Sequence, residues 1–254
     1  MTEICNISNL SIGYSSSKSI LSDINLSAPK GCLISLIGPN GTGKSTLIKS
    51  LCGLHPIQKG DIVINGKSIK KFSAKELAQH LSFVLSEKID SGKLTVYDIV
   101  SIGRYNHSNW WGGLDNENQE FVSKILKMMK LESLSNRFLF ELSDGERQRV
   151  LIAKSLAQDT PIIVLDEPTS YLDLPNRIEI FCLLKKIVKD KNKSIILSSH
   201  ELDLALKYSD KLWIIDKNSH IQESLPNSPE VNLILQESFG LKNFQFCNGL
   251  ILIN

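Results

Sequence analysis

The segment Gly38-Pro39-Asn40-Gly41-Thr42-Gly43-Lys44-Ser45 fits the pattern G-x-x-x-x-G-K-[ST] and constrains the fold more than any other feature. It follows an apolar run, Cys32 to Ile37, that reads as a strand, and it opens a helical pattern running from Lys44 to about Leu51. A chance glycine-rich turn has no reason to sit between a strand and a helix. In this setting the glycines let backbone N–H groups converge on phosphate oxygens, and the helix N-terminus adds its partial positive charge. Lys44 reaches the β and γ oxygens of a nucleoside triphosphate and Ser45 offers a hydroxyl to Mg2+, with Thr46 next on the helix completing the candidate phosphate-binding set.

A phosphate loop alone leaves kinases, GTPases and many ATPases open, and a second segment narrows the choice. Ile162-Ile163-Val164-Leu165 reads as a buried central strand, and it ends in Asp166-Glu167, where open α/β sheets place their ligands. Asp166 is suited to hold Mg2+ and Glu167 to polarise an attacking water. Either acid alone would pass for an ordinary strand-end carboxylate; the pair beside a phosphate loop does not.

Bulk properties exclude other classes. With 29 Lys+Arg against 27 Asp+Glu the net charge is +2, so there is no electrostatic footprint for nucleic acid. The five cysteines, at 5, 32, 52, 182 and 247, show no metal-ligand spacing and read as reduced core residues of a cytosolic protein. The opening MTEICNISNLSIGY has neither a basic nor an apolar leader region. No stretch reaches the roughly 18 apolar residues of a membrane helix, so membrane association is expected to come through a partner.

The elements point to an α/β fold, a phosphate-loop NTPase core with a mostly parallel sheet, an N-terminal antiparallel β region and an inserted helical subdomain. Ile4 to Ile12 and Ile20 to Leu26 read as strands, Ile62 to Ile64 with Asn65-Gly66 as one arm of a hairpin, Ser73 to Gln79 as a capped helix and Leu81 to Leu85 as a strand. Helical patterns then cover Val96 to Arg104, Glu117 to Met129, Glu132 to Leu139 and a segment from about Ser143. Alternation returns with Asn176 to Val188, Ser194 to Leu197, Glu201 to Tyr208 and Leu212 to Ile215. The expected division is a discontinuous core, 1–87 and 159–220, a helical subdomain, 88–158, and a C-terminal appendage, 221–254.

Leu142-Ser143-Asp144-Gly145-Glu146 resembles the LSGGQ signature of ABC transporter ATPases and lies 20 residues before the acid pair Asp166-Glu167, as in that family. Ser143-x-x-Glu146 is also a capping box, and a capped helix start is itself an anion site. The resemblance covers about residues 4 to 220. It implies that Tyr14 stacks on adenine, the alternative being a half-buried strand aromatic. It likewise implies that Ser170-Tyr171-Leu172-Asp173 is the D-loop and that His200 contacts the γ-phosphate. Ser143, Gly145 and Asp173 would then act on ATP across a homodimer that encloses two ATP molecules.

Two departures stand out: Asp144 and Glu146 make the signature acidic, and Ser86-Glu87 replaces the glutamine that the family carries after the strand Leu81 to Leu85. Leu94 to Val100 with Gly103-Arg104-Tyr105 resembles importers of iron-siderophores, haem or cobalamin. That resemblance implies docking on membrane permease subunits at the cytoplasmic face of the inner (cell) membrane, near Ser86, with a substrate-binding protein acting indirectly. A DNA-repair ATPase of the family would carry a coiled-coil or zinc insertion between Lys44 and Leu142, which is absent. A catalytically weak, nucleotide-gated subunit is the remaining alternative, and the retained Lys44, Asp166, Glu167 and His200 argue against it.

Overall fold

Strand burial follows directly from which faces are covered. The computed structural model describes residues 2–14, 18–86, 92–107, 114–240, 244–247 and 250–253. In chain order the elements are β1 (Glu3–Ile12), β2 (Leu21–Pro29), β3 (Leu33–Ile37), α1 (Lys44–Leu51), β4 (Ile57–Ile64), β5 (Lys67–Ser68), α2 (Ala74–His80) and β6 (Leu81–Val84). Helices α3 (Val96–Ile102), α4 (Asn116–Met128) and α5 (Asp144–Ala157) follow. The chain continues through β7 (Ile162–Leu165), α6 (Leu174–Lys191), β8 (Ser194–Ser198), α7 (Leu202–Tyr208), β9 (Lys211–Ile215), β10 (Ile221–Ser224), α8 (Val231–Phe239), β11 (Phe244–Cys247) and β12 (Leu250–Ile253).

The central sheet has the order β10-β9-β3-β8-β7-β6, parallel throughout except for the edge strand β10. Every residue of β3, β7 and β8 is buried, as expected of parallel strands covered on both faces. A second sheet, β2-β1-β4-β5, is antiparallel. The turn from β4 to β5 uses Asn65 and Gly66 at φ 49° and 76°, the left-handed values a two-residue hairpin needs.

Helix α1 lies between the two sheets, so Leu47, Ile48 and Leu51 pack with Ile7, Leu10 and Ile24 on one side and Leu36 and Val164 on the other. Each such aliphatic side chain contributes about 1.5–3 kcal/mol on burial. The opposite face of the central sheet carries α3 to α6, joined through Val100, Val122, Val150 and Phe181 to Ile163 and Leu197. Within that helical layer the buried Arg104 donates from Nε to Asn118 Oδ1 at 2.7 Å and from Nη1 to the Ala157 carbonyl at 3.1 Å, and lies 4.4 Å over Phe121. One guanidinium thereby ties α4, α5 and the end of α3.

Three expectations are corrected. Glu132 to Leu139 is not a helix but two 3-10 turns, Glu132–Leu134 and Leu139–Glu141. The carbonyls of Ser135 and Arg137 accept from the Tyr97 and Val96 N–H groups, at 2.9 Å each, and so serve the open start of α3 instead of a helix of their own. Cys182 is exposed, 3.3 Å from the Tyr208 hydroxyl, and is not a core residue, whereas Cys5, Cys32 and Cys52 are buried. Burial pushes the Cys5 thiol up to about 12. Finally, the segment read as an appendage is continuous with the core: Ile221–Ser224 is the edge strand β10, and Val231 and Leu235 of α8 pack with Ile37, Leu212 and Ile214.

Candidate functional site

The C-terminal ends of β3, β7 and β8 are neighbours in the central sheet, so the loops that follow them meet at one edge. Residues Gly38 to Gly43 form the first loop. Gly43 sits at φ 100°, and a Cβ there would lie 2.8 Å from Ile20 Cγ2, so only glycine fits. Lys44 is buried, and its Nζ donates to the carbonyls of Gly38 at 2.8 Å and Pro39 at 2.9 Å. Burial holds its pKa below the usual lysine value, with Glu167 and Asp166 pulling the other way. Thr42 Oγ1 also donates to the Pro39 carbonyl at 2.9 Å.

Helices α2, α3, α4, α5 and α6 each satisfy a first-turn amide with a side chain, from Ser73, Thr95, Asp115, Ser143 and Asp173. Helix α1 starts at Gly43 with no side-chain cap, as α7 and α8 do at Glu201 and Glu230. The first-turn donors of α1, which follow the glycine loop directly, are open to the oxygens of a triphosphate.

After β7, Asp166 is 2% exposed, and its carboxylate is surrounded by serine hydroxyls: Ser198 at 2.7 Å and Ser45 at 3.2 Å on Oδ1, Ser86 at 3.2 Å on Oδ2. This is a hard-oxygen set suited to Mg2+. Among the described residues no group of three or more His, Cys, Asp or Glu could hold a metal, so Ser45 and Asp166 would share the ion with phosphate and water oxygens.

Glu167 adopts φ 48°, left-handed for a residue with a side chain. Such backbone costs of order 1–3 kcal/mol and persists only where neighbours fix it. Here its N–H donates to Ser198 Oγ at 2.9 Å, while its carboxylate accepts from Ser170 Oγ at 3.0 Å and His200 Nε2 at 2.5 Å. Tyr14 is 81% exposed, with its hydroxyl 3.3 Å from Thr46 Oγ1, and is therefore not a half-buried strand aromatic. A cleft of about 430 Å3 is lined by Tyr14, Ile20, Asn40, Gly41, Gly43, Lys44, Ser45, Thr46, Glu167 and His200.

Ser143, Gly145 and Asp173 are not among those lining residues. They gather instead where α5 and α6 begin. Ser143 Oγ accepts from the Glu146 N–H at 3.3 Å, and Glu146 Oε2 accepts from the Ser143 N–H at 2.9 Å and its hydroxyl at 2.8 Å, which holds the Glu146 carboxyl below the usual range. Asp144 points to Arg147, at 3.4 Å. Asp173 accepts from the Asn176 N–H at 3.1 Å and its amide at 2.6 Å, and that amide lies under Gly145. Glu87 lies outside the described residues. Ser198 has no mark in the sequence, because a lone serine at a strand end carries no distinctive pattern, and Ser170 stands out there only as part of the D-loop resemblance, not as a partner of Glu167.

A family model described as ABC transporter matches residues 21–170. The chain belongs to the ABC transporter family. It is an ATPase of the ATP-binding cassette type. Similar relatives include the iron(3+)-hydroxamate import ATP-binding protein FhuC of Bacillus subtilis, 37% identical, with 84% of this chain and 79% of the relative covered. The petrobactin import ATP-binding protein FpuC of Bacillus anthracis is 35% identical, with 87% and 82% covered. Among solved structures, a chain of a metal-chelate type ABC transporter in an inward-facing conformation superposes with TM-score 0.83 at 25% identity, covering 99% of this chain and 96% of that one. A dimeric, post-hydrolysis ATP-binding cassette bound to ADP and Pi gives TM-score 0.76 at 25% identity, covering 88% and 99%.

Proposed function

We propose that this ABC ATPase drives import of a metal chelate of the ferric siderophore class. It works as a homodimer around two ATP molecules, docked on permease subunits at the cytoplasmic face of the cell membrane and served indirectly by a substrate-binding protein. The observation that carries the ATPase half of this reading is Glu167, aimed by Ser170 and His200 beside Asp166 and the phosphate loop in one cleft. Siderophore cargo is preferred to haem or cobalamin because import relatives with siderophore-class names align along most of the chain.

Lys44 and the open amides of α1 bind the β- and γ-phosphates, and Tyr14 carries the adenine. Ser45 and Asp166 would hold Mg2+, which when bound would supply positive charge to the phosphate oxygens. Glu167 accepts a proton from a water placed in line with the γ-phosphorus; the water oxygen bonds to phosphorus as the β–γ bridging bond breaks, leaving ADP and phosphate. His200 keeps the Glu167 carboxylate in that orientation. Ser143 and Gly145, which do not line their own chain's cleft, act on the γ-phosphate held by a second copy, together with Asp173.

No helix among the described residues is long and apolar enough to cross a membrane. Docking on a permease is supported by a groove of about 440 Å3 in the helical layer, where Leu94, Ile102 and Tyr105 are exposed apolar residues. The test is Glu167→Gln, which keeps shape and removes the base. Phosphate release should fall by about 10²–10⁴, with ATP affinity within a few-fold of normal and a dimer accumulating in ATP; near-normal turnover removes Glu167 from the mechanism. Loss of ferric-siderophore uptake on deleting the chain, with haem and cobalamin uptake intact, tests the cargo.

A further inference from the structure

We propose that His55 is a positioning residue for the nucleotide base, fixing Tyr14 as a stacking surface while taking no part in phosphate binding. This rests on the reading of Tyr14 as the residue that carries the base. A tyrosine ring that is 81% exposed at the end of β1 has little packing of its own to hold it in one rotamer. Two side chains supply what packing does not. The Tyr14 hydroxyl is 3.3 Å from Thr46 Oγ1, and the ring meets the His55 ring in a T-shaped arrangement, centroids 5.5 Å apart at 83°.

His55 also holds the backbone from which Tyr14 springs. Its Nε2 lies 3.1 Å from the Gly13 carbonyl, and because a carbonyl only accepts, Nε2 carries the hydrogen. Gly13 is itself closely confined: a Cβ there would lie 2.2 Å from the Lys18 carbonyl oxygen and 2.9 Å from Ser19 Cα. The peptide before Tyr14 is thus clamped by His55 on one side and by the returning chain on the other. No motif in the sequence marks His55 for this task.

The two supports come from opposite ends of one element. Thr46 is in the first turn of α1, next to the phosphate loop, and His55 follows the helix by four residues. A helix of eight residues is about 12 Å long and stiff. It therefore sets the distance between the phosphate cradle and the base surface. The expected ligand chemistry is a planar heteroaromatic base attached to a triphosphate, with little choice among bases, since every base offers a π face.

The experiment measures equilibrium binding to the full chain of ATP, of inorganic tripolyphosphate and of a fluorescent aminopurine riboside triphosphate whose emission is quenched on stacking. His55→Ala should weaken ATP binding roughly three- to tenfold, the scale of one aromatic contact and one hydrogen bond. It should also reduce the quench and leave tripolyphosphate binding unchanged. His55→Phe, which keeps a ring, and His55→Gln, which keeps a donor, should each recover part of the loss. Equal weakening of ATP and tripolyphosphate would mean a general structural role and overturns the proposal. If His55→Ala binds ATP normally while Tyr14→Ala does not, His55 alone is eliminated. If Tyr14→Ala also binds normally, the reading of Tyr14 fails and the role of His55 fails with it.

Discussion

A carboxylate as buried as Asp166 survives only where hydrogen-bond donors replace lost water, and three serine hydroxyls do so here. Ser86, which stands where the family resemblance led to the expectation of a glutamine, is one of them. Its hydroxyl touches Asp166 directly, so its contribution is to orient a carboxylate that two other serines already hold. Ser86→Ala should lower basal hydrolysis of the isolated subunit about three- to tenfold, the scale of one such hydrogen bond. The larger deficit is expected in permease-stimulated turnover, because Ser86 follows β6, the strand from which the chain passes to the helical layer. Basal and stimulated phosphate release measured side by side decide this, and a basal loss of a hundredfold or more would make Ser86 a direct catalytic group. At this scale the sequence is legible where chemistry is local. Gly38 to Ser45 announces itself because loop, lysine and hydroxyl must be contiguous, whereas Ser198 reaches Asp166 and Glu167 only through the pairing of β7 with β8.

Helix starts follow the same logic of local against distant partners. The capping boxes at Ser73 and Ser143 are complete within four residues, and both are visible in the sequence. The Glu132 to Leu139 segment carries a helical pattern, yet its Ser135 and Arg137 carbonyls are claimed by α3, far away in the chain. Periodicity carries no record of that competition. At α5 the cap has a pH signature. Glu146 is held below the ordinary carboxylate range because the Ser143 N–H and hydroxyl donate to it. A carboxyl depressed in the folded state stabilises the fold at pH values above its unfolded pKa. That contribution is lost as the pH falls through the ordinary range toward the folded value. The group is only half-buried, so solvent screening keeps the effect small. Glu146→Ala should lower the melting temperature by roughly 1–3 °C at neutral pH, and the gap should narrow as the pH falls below about 4. Thermal melts of both proteins from neutral pH to pH 3 test this; a gap that stays constant would mean that the uncharged cap alone stabilises α5.

On the scale of the whole molecule, nine of the sixteen site residues singled out in the sequence line the cleft, whereas Ser143, Gly145 and Asp173 do not, and the proposed second copy is what would bring them to a nucleotide. There the acidic signature becomes an electrostatic question. Asp144 alone would set a negative charge on each copy against the triphosphate of the other, but Arg147 lies 3.4 Å away, one turn along α5, and offsets it. Arg147 is also anchored, donating to the Leu142 carbonyl at 3.3 Å and the Leu139 carbonyl at 3.4 Å. In the proposed homodimer the pair would therefore be nearly neutral toward the other copy's nucleotide, and its two members can be separated by substitution. Asp144→Gly leaves the arginine uncompensated and should tighten ATP-dependent dimerisation; Arg147→Ala leaves the aspartate uncompensated and should weaken it. Because a symmetric dimer counts each change twice and the charges are partly solvated, each shift should be roughly two- to thirtyfold in the dissociation constant. Both should shrink as ionic strength rises and the Debye length falls below about 10 Å. Arg147→Lys, which keeps charge and loses the planar fork, should fall between wild type and Arg147→Ala. Sedimentation in ATP, with Glu167→Gln present throughout to suppress turnover, gives these constants directly. Equal constants for Asp144→Gly and Arg147→Ala, without salt dependence, would mean that the pair faces away from the nucleotide of the other copy.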